Sequence, residues 1–172
     1  TRLIGAVIMT HSDDDGLVLP PAVAPVQVVI IPVCKEKDRE TVFEAVDKIH
    51  AELKTRFRVK VDDRLSMRPG AKYFEWERKG VPLRLEVGPR DVAKGQAFAK
   101  KRVGGGKFGI PFEGIGDSVE EALAEIQAEL LERATTLRDE RTYTVSSWDE
   151  FREKIESQPG FYQVPWGGDD AD

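Results

Sequence analysis

From residue 26 onward, apolar and polar positions run in blocks whose period changes from element to element. Residues 26–33 are almost continuously apolar and β-branched, the pattern of a strand buried on both faces. Residues 38–57 place Val42, Val46, Ile49 and Leu53 at helical spacing, with Asp38 as the expected N-cap. A short strand is predicted at 58–61, then a helix over 66–79 with Pro69 near its start and Gly80 as its stop. Leu83, Leu85 and Val87 alternate with Arg84 and Glu86, so a strand there should show both charges on one face. Residues 96–102 and 107–111 flank Gly104-Gly105-Gly106, a hairpin signal. Ser118 and Glu121 have the spacing of a capping box, followed by Leu123, Ile126, Leu130 and Leu137 on one stripe. The order β-α-β-α-β-β-β-α predicts an α/β fold, a mixed sheet with helices packed on it.

The two ends have a different texture. Residues 1–10 are mostly apolar, 11–16 read as a loop and 20–25 as a Pro-rich linker, so an independent domain should begin near Pro25 in a chain cut from a larger protein. Beyond Glu140, Ser147 and Glu150 form a second capping-box pattern, opening a helix to about Ser157 before a strand at 160–164. That segment is too short for its own core and reads as the start of a truncated module, packed through Trp148, Phe151, Ile155, Phe161 and Trp166.

Composition narrows the function classes. The longest apolar run, Leu3 to Met9, falls far short of the roughly 20 residues of a membrane span, and without a basic flank or small-residue cleavage site at residues 1–10 no secretory signal is expected. One cysteine, Cys34, excludes an internal disulfide framework or a cysteine-rich metal cluster, and points to the reducing cytoplasm. The net charge of −5 hides an asymmetry: −4 over residues 1–53, +10 over 54–107 and −11 over 108–172. A +10 block inside an acidic protein points to a polyanionic partner for that block alone.

No catalytic constellation stands out. His11 and His50 are far apart, Asp13-Asp14-Asp15 lacks the spacing of a calcium loop, and Gly104-Gly105-Gly106 lacks the strand-to-helix setting of a phosphate loop. Residues 72–107 are more informative. They interleave Tyr73, Phe74 and Trp76 with Glu75, Glu77, Arg84, Arg90, Lys94 and Lys100-Lys101-Arg102. Unpaired RNA bases are read this way, stacked on aromatics with their Watson–Crick edges turned to side chains. Guanine offers two adjacent donors on that edge, and a carboxylate two matching acceptors. The competing reading, that Glu75 and Glu77 merely pair with Arg78 or Lys79 on an exposed helix, stays open on spacing alone.

Longer strings carry a family likeness. Residues 1–6 and 9–11, Gly16-Leu17-Val18-Leu19-Pro20-Pro21, 24–30, Lys72, Glu75-Trp76-Glu77, Lys79-Gly80-Val81-Pro82 and Gly88-Pro89-Arg90-Asp91 resemble the prolyl-tRNA synthetases, in their archaeal/eukaryote-like form. The likeness covers essentially the whole chain. It implies a class II synthetase cut inside its third signature motif, with Arg2 at the arginine that contacts ATP. It further implies the end of the catalytic domain over 1–24, an anticodon-binding domain over 25–140 and the start of a small α/β zinc-binding-like domain over 141–172. That anticodon-binding domain would be a five-stranded mixed sheet with three helices. Carried over position by position, the anticodon contacts are Tyr73, Glu77, Arg84, Arg90 and Lys107, consistent with proline anticodons ending in two guanines.

The parent so implied is a proline–tRNA ligase using ATP with Mg, proline and tRNA(Pro), homodimeric and cytoplasmic, with no membrane; a monomeric fragment is left open. The fragment itself should bind RNA and catalyse nothing. Gly167 and Asp172 stand where the family often has zinc-ligating cysteines, so no zinc is expected in this chain. Two other classes remain. A non-catalytic nucleic-acid-binding accessory protein would not need Arg2, and a pure protein-interaction module would leave the +10 block unexplained.

Overall fold

A computed structural model describes residues 2–64 and 66–165, which fall into two compact units, 1–130 and 131–172. The first opens with helix α1 (Arg2–His11) and is built on a five-stranded sheet of β1 (Val28–Pro32), β2 (Val59–Val61), β3 (Leu83–Val87), β4 (Gln96–Lys101) and β5 (Phe108–Pro111). The strand order is β2-β1-β3-β4-β5, with β1 parallel to both β2 and β3, and antiparallel pairing from β3 through β5. The mixed sheet is the one the block pattern predicts. Helices α2 (Arg39–Leu53), α3 (Pro69–Arg78) and α5 (Ile115–Glu140) join it, together with a short α4 (Pro89–Ala93) that the periodicity did not reveal.

The core follows directly from the spacing of apolar side chains. All five residues of β1 are buried, and α2 buries Val42, Val46, Ile49 and Leu53, the predicted four. On this side Val28 and Ile30 of β1, Leu83, Leu85 and Val87 of β3, Ala97 and Ala99 of β4 and Ile110 of β5 pack with α2 and with Val119, Leu123 and Ile126 of α5. Burying each Leu or Ile fully contributes about 1.5–3 kcal/mol, so this layer dominates stability. The opposite face is thinner: Val29 and Ile31 of β1 meet Trp76 of α3 and Val81, with Tyr73 at the margin. α3 is therefore the element that decides what the second sheet face presents.

Two predicted starts shift. α5 begins at Ile115, a turn before Ser118, because Gly114 takes φ +69° and Glu52 of α2 accepts from the Gly116 amide at 3.2 Å. This external carboxylate caps the first turn, and Ser118 lies inside the helix instead of capping it. Asp38 precedes α2 as expected, but its side chain makes no capping bond, and a 3-10 turn (Glu36–Asp38) leads in.

The linker is not slack. Val18, Pro20, Pro21 and Ala24 are buried, and Arg58 donates to the carbonyls of Pro21, Ala22 and Ala24. The Leu17 amide donates to the Arg78 carbonyl at 3.0 Å, so the segment runs against the end of α3. Gly80, at φ +71°, makes that approach possible, since a Cβ there would sit 2.7 Å from the Leu17 carbonyl oxygen.

In the second unit, β6 (Thr142–Thr144) and β7 (Phe161–Gln163) pair in parallel around α6 (Trp148–Ser157). Ser147 caps α6 by accepting from the Glu150 amide, while Glu150 returns to the Ser146 amide, one residue before the cap. Phe151 stacks edge-on to Tyr162 at 5.4 Å, and Tyr162 lies 5.3 Å from Tyr143. Trp148, Ile155 and Phe161, expected in this core, are instead exposed; Trp166 lies outside the described residues.

Candidate nucleic-acid interface

The strand alternation at 83–87 places Arg84 and Glu86 on the α3 side of the sheet, in register with Val29 and Ile31 of β1. Across the antiparallel pair, Lys100 stands opposite Arg84 and Phe98 opposite Glu86. Four groups converge here. Glu86, whose side chain is only 10% exposed, accepts from the Tyr73 hydroxyl at 2.9 Å, Arg84 Nε at 3.2 Å and Lys107 Nζ at 2.6 Å. The Arg84 guanidinium lies 4.2 Å from the centre of the Tyr73 ring, and the Lys107 ammonium 5.1 Å from it. Burial, helped by the bond to Glu86 and its charge, pushes the Tyr73 phenol far up, so it stays a neutral donor.

Arg84 is thereby held by one edge. Its Nε is engaged, and its two terminal nitrogens make no hydrogen bond among the described residues. Glu77, one helical turn beyond Tyr73, is half-buried and borders a crevice of only about 10 Å³ shared with Trp76, Arg84, Lys100 and Arg102, the last bonded to the Glu77 backbone carbonyl. Its carboxylate forms no ion pair among the described residues, whereas Glu75 pairs with Lys79 at 2.6 Å and Arg64 at 2.8 Å. Those two cations hold the Glu75 carboxyl below its usual range. The two acids left open by spacing thus separate: Glu75 is a paired acid, and Glu77 makes no ion pair among the described residues.

α3 is pinned from beneath. Lys72, fully buried, donates to the Asp62 carbonyl at 2.9 Å with the Asp62 carboxylate 3.7 Å away. Trp76 Nε1 donates to the same carboxylate at 2.8 Å, and Arg64 grips it through two nitrogens. Those Arg64 bonds hold the Asp62 carboxyl well below the ordinary carboxylate range. Trp76, placed with the stacking aromatics on sequence grounds, is a core residue instead. Phe74 is 58% exposed and lies under the Arg78 guanidinium at 5.8 Å.

The basic run divides in the same manner. Lys101 pairs with Glu125 of α5, on the opposite side of the sheet. Arg102 is buried, fixed to both Asp13 oxygens and to the carbonyls of Leu17 and Glu77. Arg102 lies on the Arg84 side as well but is buried and spent within the fold, so of the three Lys100 is the half-exposed cation on that face.

Of the predicted site residues, the structure brings Tyr73, Arg84 and Lys107 together around Glu86, and Glu77 beside Arg84. Arg90 is exposed in the first turn of α4, and Arg2 is exposed on α1. No bond among the described residues joins either to this cluster. Gly167 and Asp172, on which the zinc expectation turned, lie outside the described residues. Sequence reasoning missed Glu86 as the hub of the cluster. The signal was available in the period-2 spacing of Arg84 with Glu86.

Residues 27–129 match the family model for the anticodon binding domain. The chain is 49% identical to a proline–tRNA ligase of Chloroflexus aggregans and 50% identical to one of Chloroflexus aurantiacus, in each case over the whole of this chain and 36% of the relative. It thus spans about a third of the length of these curated relatives. A solved prolyl-tRNA synthetase of Cryptosporidium parvum, complexed with halofuginone and AMPPNP, superposes with a TM-score of 0.92 at 39% identity. That superposition covers 98% of this chain and 34% of the other.

Proposed function

The chain belongs to the anticodon-binding domain family, and from that premise we propose that it is the tRNA-reading part of a proline–tRNA ligase. The observation that carries this reading is the half-open sheet face on which Tyr73, Arg84 and Lys107 gather around Glu86, with Glu77 lining the adjoining cleft. The face combines what an unpaired guanine needs. Tyr73 backs the Arg84 guanidinium, Arg84 turns two free terminal donors toward O6, and Glu77 offers two acceptors for the N1 and N2 hydrogens. Lys107 and Lys100 add charge for the phosphates, and the exposed Arg90 extends it along the strand. Residues 25–140 form the reading domain in this view.

The longer ligase would attach proline to tRNA(Pro) with ATP and Mg, as a cytoplasmic homodimer. Support for these wider terms is the likeness to proline–tRNA ligases over the whole chain. The C. parvum relative holds the ATP analogue AMPPNP, and Arg2 is the one position here assigned to ATP. Among the described residues no helix is long and apolar enough to cross a membrane. The chain alone should bind anticodon stem-loops of tRNA(Pro) without forming prolyl-adenylate.

Glu77→Gln tests the reading. It keeps the shape of the side chain and turns one acceptor into a donor facing guanine donors. The preference for guanine over adenine in stem-loop titrations should fall by roughly 1–3 kcal/mol, the scale of a bidentate base contact. An unchanged preference would remove the carboxylate from base reading.

A further inference from the structure

Phe98 is an aromatic side chain that neither hydrophobic cluster absorbs. It stands on β4, directly opposite Glu86 of β3 on one side and Gly109 of β5 on the other, so all three share the face that carries Arg84. Directly opposed residues of antiparallel strands point to the same side, with Cβ atoms about 4.5–5.5 Å apart. The ring is half-buried and makes no ring–ring or cation–π contact with any described residue. Its sheet neighbours at 97 and 99 are alanines turned into the core, so the ring adds nothing to that packing.

The surroundings are those of a flat platform. Gly109 leaves the adjoining strand without a side chain, and the Gln96 amide lies over it, its oxygen 3.2 Å from where a Cβ would stand. A polar amide therefore borders the ring on that side. Cations flank it as well: Lys100 two residues along the same face, and Lys107 held at Glu86. An apolar ring bordered by an amide and two ammonium groups suits a base with its phosphate, and a protein partner would leave both charges to be desolvated.

We propose that Phe98 is a second stacking platform, taking an unpaired base of the same RNA strand next to the guanine held at Tyr73, Arg84 and Glu77. The proposal rests on the anticodon-reading function and adds to it a subsite that tolerates any base. Every base has a π face, and the platform carries no fixed pair of donors and acceptors like that of Glu77 and Arg84. Phe98 binds without selecting, and the cleft beside it selects.

The test uses the 172-residue chain and proline anticodon stem-loops carrying 5-iodouridine at the loop nucleotide flanking the guanine pair. Long-wavelength irradiation couples that base to an aromatic ring stacked on it, and peptide mapping should find the adduct at Phe98. Phe98→Leu keeps apolar bulk but no π face. It should weaken binding at least about 5-fold, within the roughly 5- to 150-fold span expected for a lost base–aromatic stack, equally for all four bases at that nucleotide. Phe98→Trp should restore affinity. The guanine preference set by Glu77 should not move in either variant. An adduct that maps away from Phe98, or a Phe98→Leu affinity within twofold of the parent, overturns the platform while leaving the guanine cleft standing. A parent chain that shows no guanine preference at all overturns the function on which the platform rests.

Discussion

Glu86→Gln separates a preorganised reading face from plain polyanion attraction, because it should push the two in opposite directions. The carboxylate is nearly buried and receives three donors, two of them cationic. Glutamine keeps the volume and one acceptor but loses the charge, and its amide would confront the Tyr73 hydroxyl or the Arg84 guanidinium. Hydrogen bonds to charged groups contribute about 1.5–3 kcal/mol. The bond from Arg84, whose side chain is 12% exposed, belongs in that range. Lys107 is 46% exposed, so its pair is screened and contributes about 1 kcal/mol at most. Freed from Glu86, the guanidinium can swing off the Tyr73 ring, and its terminal donors lose their fixed direction. Guanine preference over adenine should then drop by roughly 1–2 kcal/mol, a share of the Arg84 bond. The face meanwhile gains one net positive charge, which steepens the logarithmic salt dependence by about 0.7 for a single strand. Fluorescence anisotropy over a salt series, with matched and mismatched stem-loops, reads both quantities at once. The expected signature is tighter low-salt binding to every RNA together with flatter discrimination. Discrimination and salt slope both unchanged would show that Glu86 orients nothing.

The remaining predictions concern the supports of that face. Asp62→Asn strips the buried Lys72 of its carboxylate and should cost about 3 kcal/mol near neutral pH, the cost of breaking a buried pair from one side. The Asp62 pKa is depressed in the fold, so its contribution is fully present above about pH 4 and is lost as pH falls toward the folded value. Urea titrations should therefore find the wild-type and variant stabilities converging on acidification, and a gap that stays constant would refute the assignment. Arg102→Met leaves Asp13 and two backbone carbonyls without their donor and should destabilise the fold by about 2–4 kcal/mol. Lys100→Ala should change stability by less than about 0.5 kcal/mol while weakening all RNAs alike. Thermal melts beside binding titrations distinguish the two.

The architecture was readable because its signals are local. The β1 run is apolar on both faces, α2 spaces its core residues at Val42, Val46, Ile49 and Leu53, and Pro69 and Gly80 bracket α3. Where the reading slipped, a distant partner had replaced a local one. Glu52, 64 residues away from Gly116, caps the first turn of α5 and makes the Ser118 capping box unnecessary. α4 was overlooked because five residues give no periodicity. Its local sign was Gly88 followed by Pro89, with Asp91 accepting from the Gly88 amide at 2.8 Å.

The site was legible in its residue types but not in its division of labour, and the reason is sheet register. Three consecutive cations, Lys100, Lys101 and Arg102, read as one patch in sequence. On a strand with period two, Lys100 and Lys101 must face opposite sides of the sheet, and Arg102 leaves the strand to grip Asp13. Lys72, Arg64 and Arg58 are likewise spent on Asp62 and on the linker carbonyls. The +10 block therefore overstates the charge available to an RNA. Counting side chains gives an upper bound, and pairing within the fold lowers it. On one face stand Arg84 and Lys107, both tied to Glu86, and Lys100, bonded to the Gly105 carbonyl, beside Glu77, a surface whose acids oppose unselective phosphate binding. Two carboxylates among the cations of this face weaken any general attraction to phosphate, and under the proposed function base selection is the gain that offsets the loss.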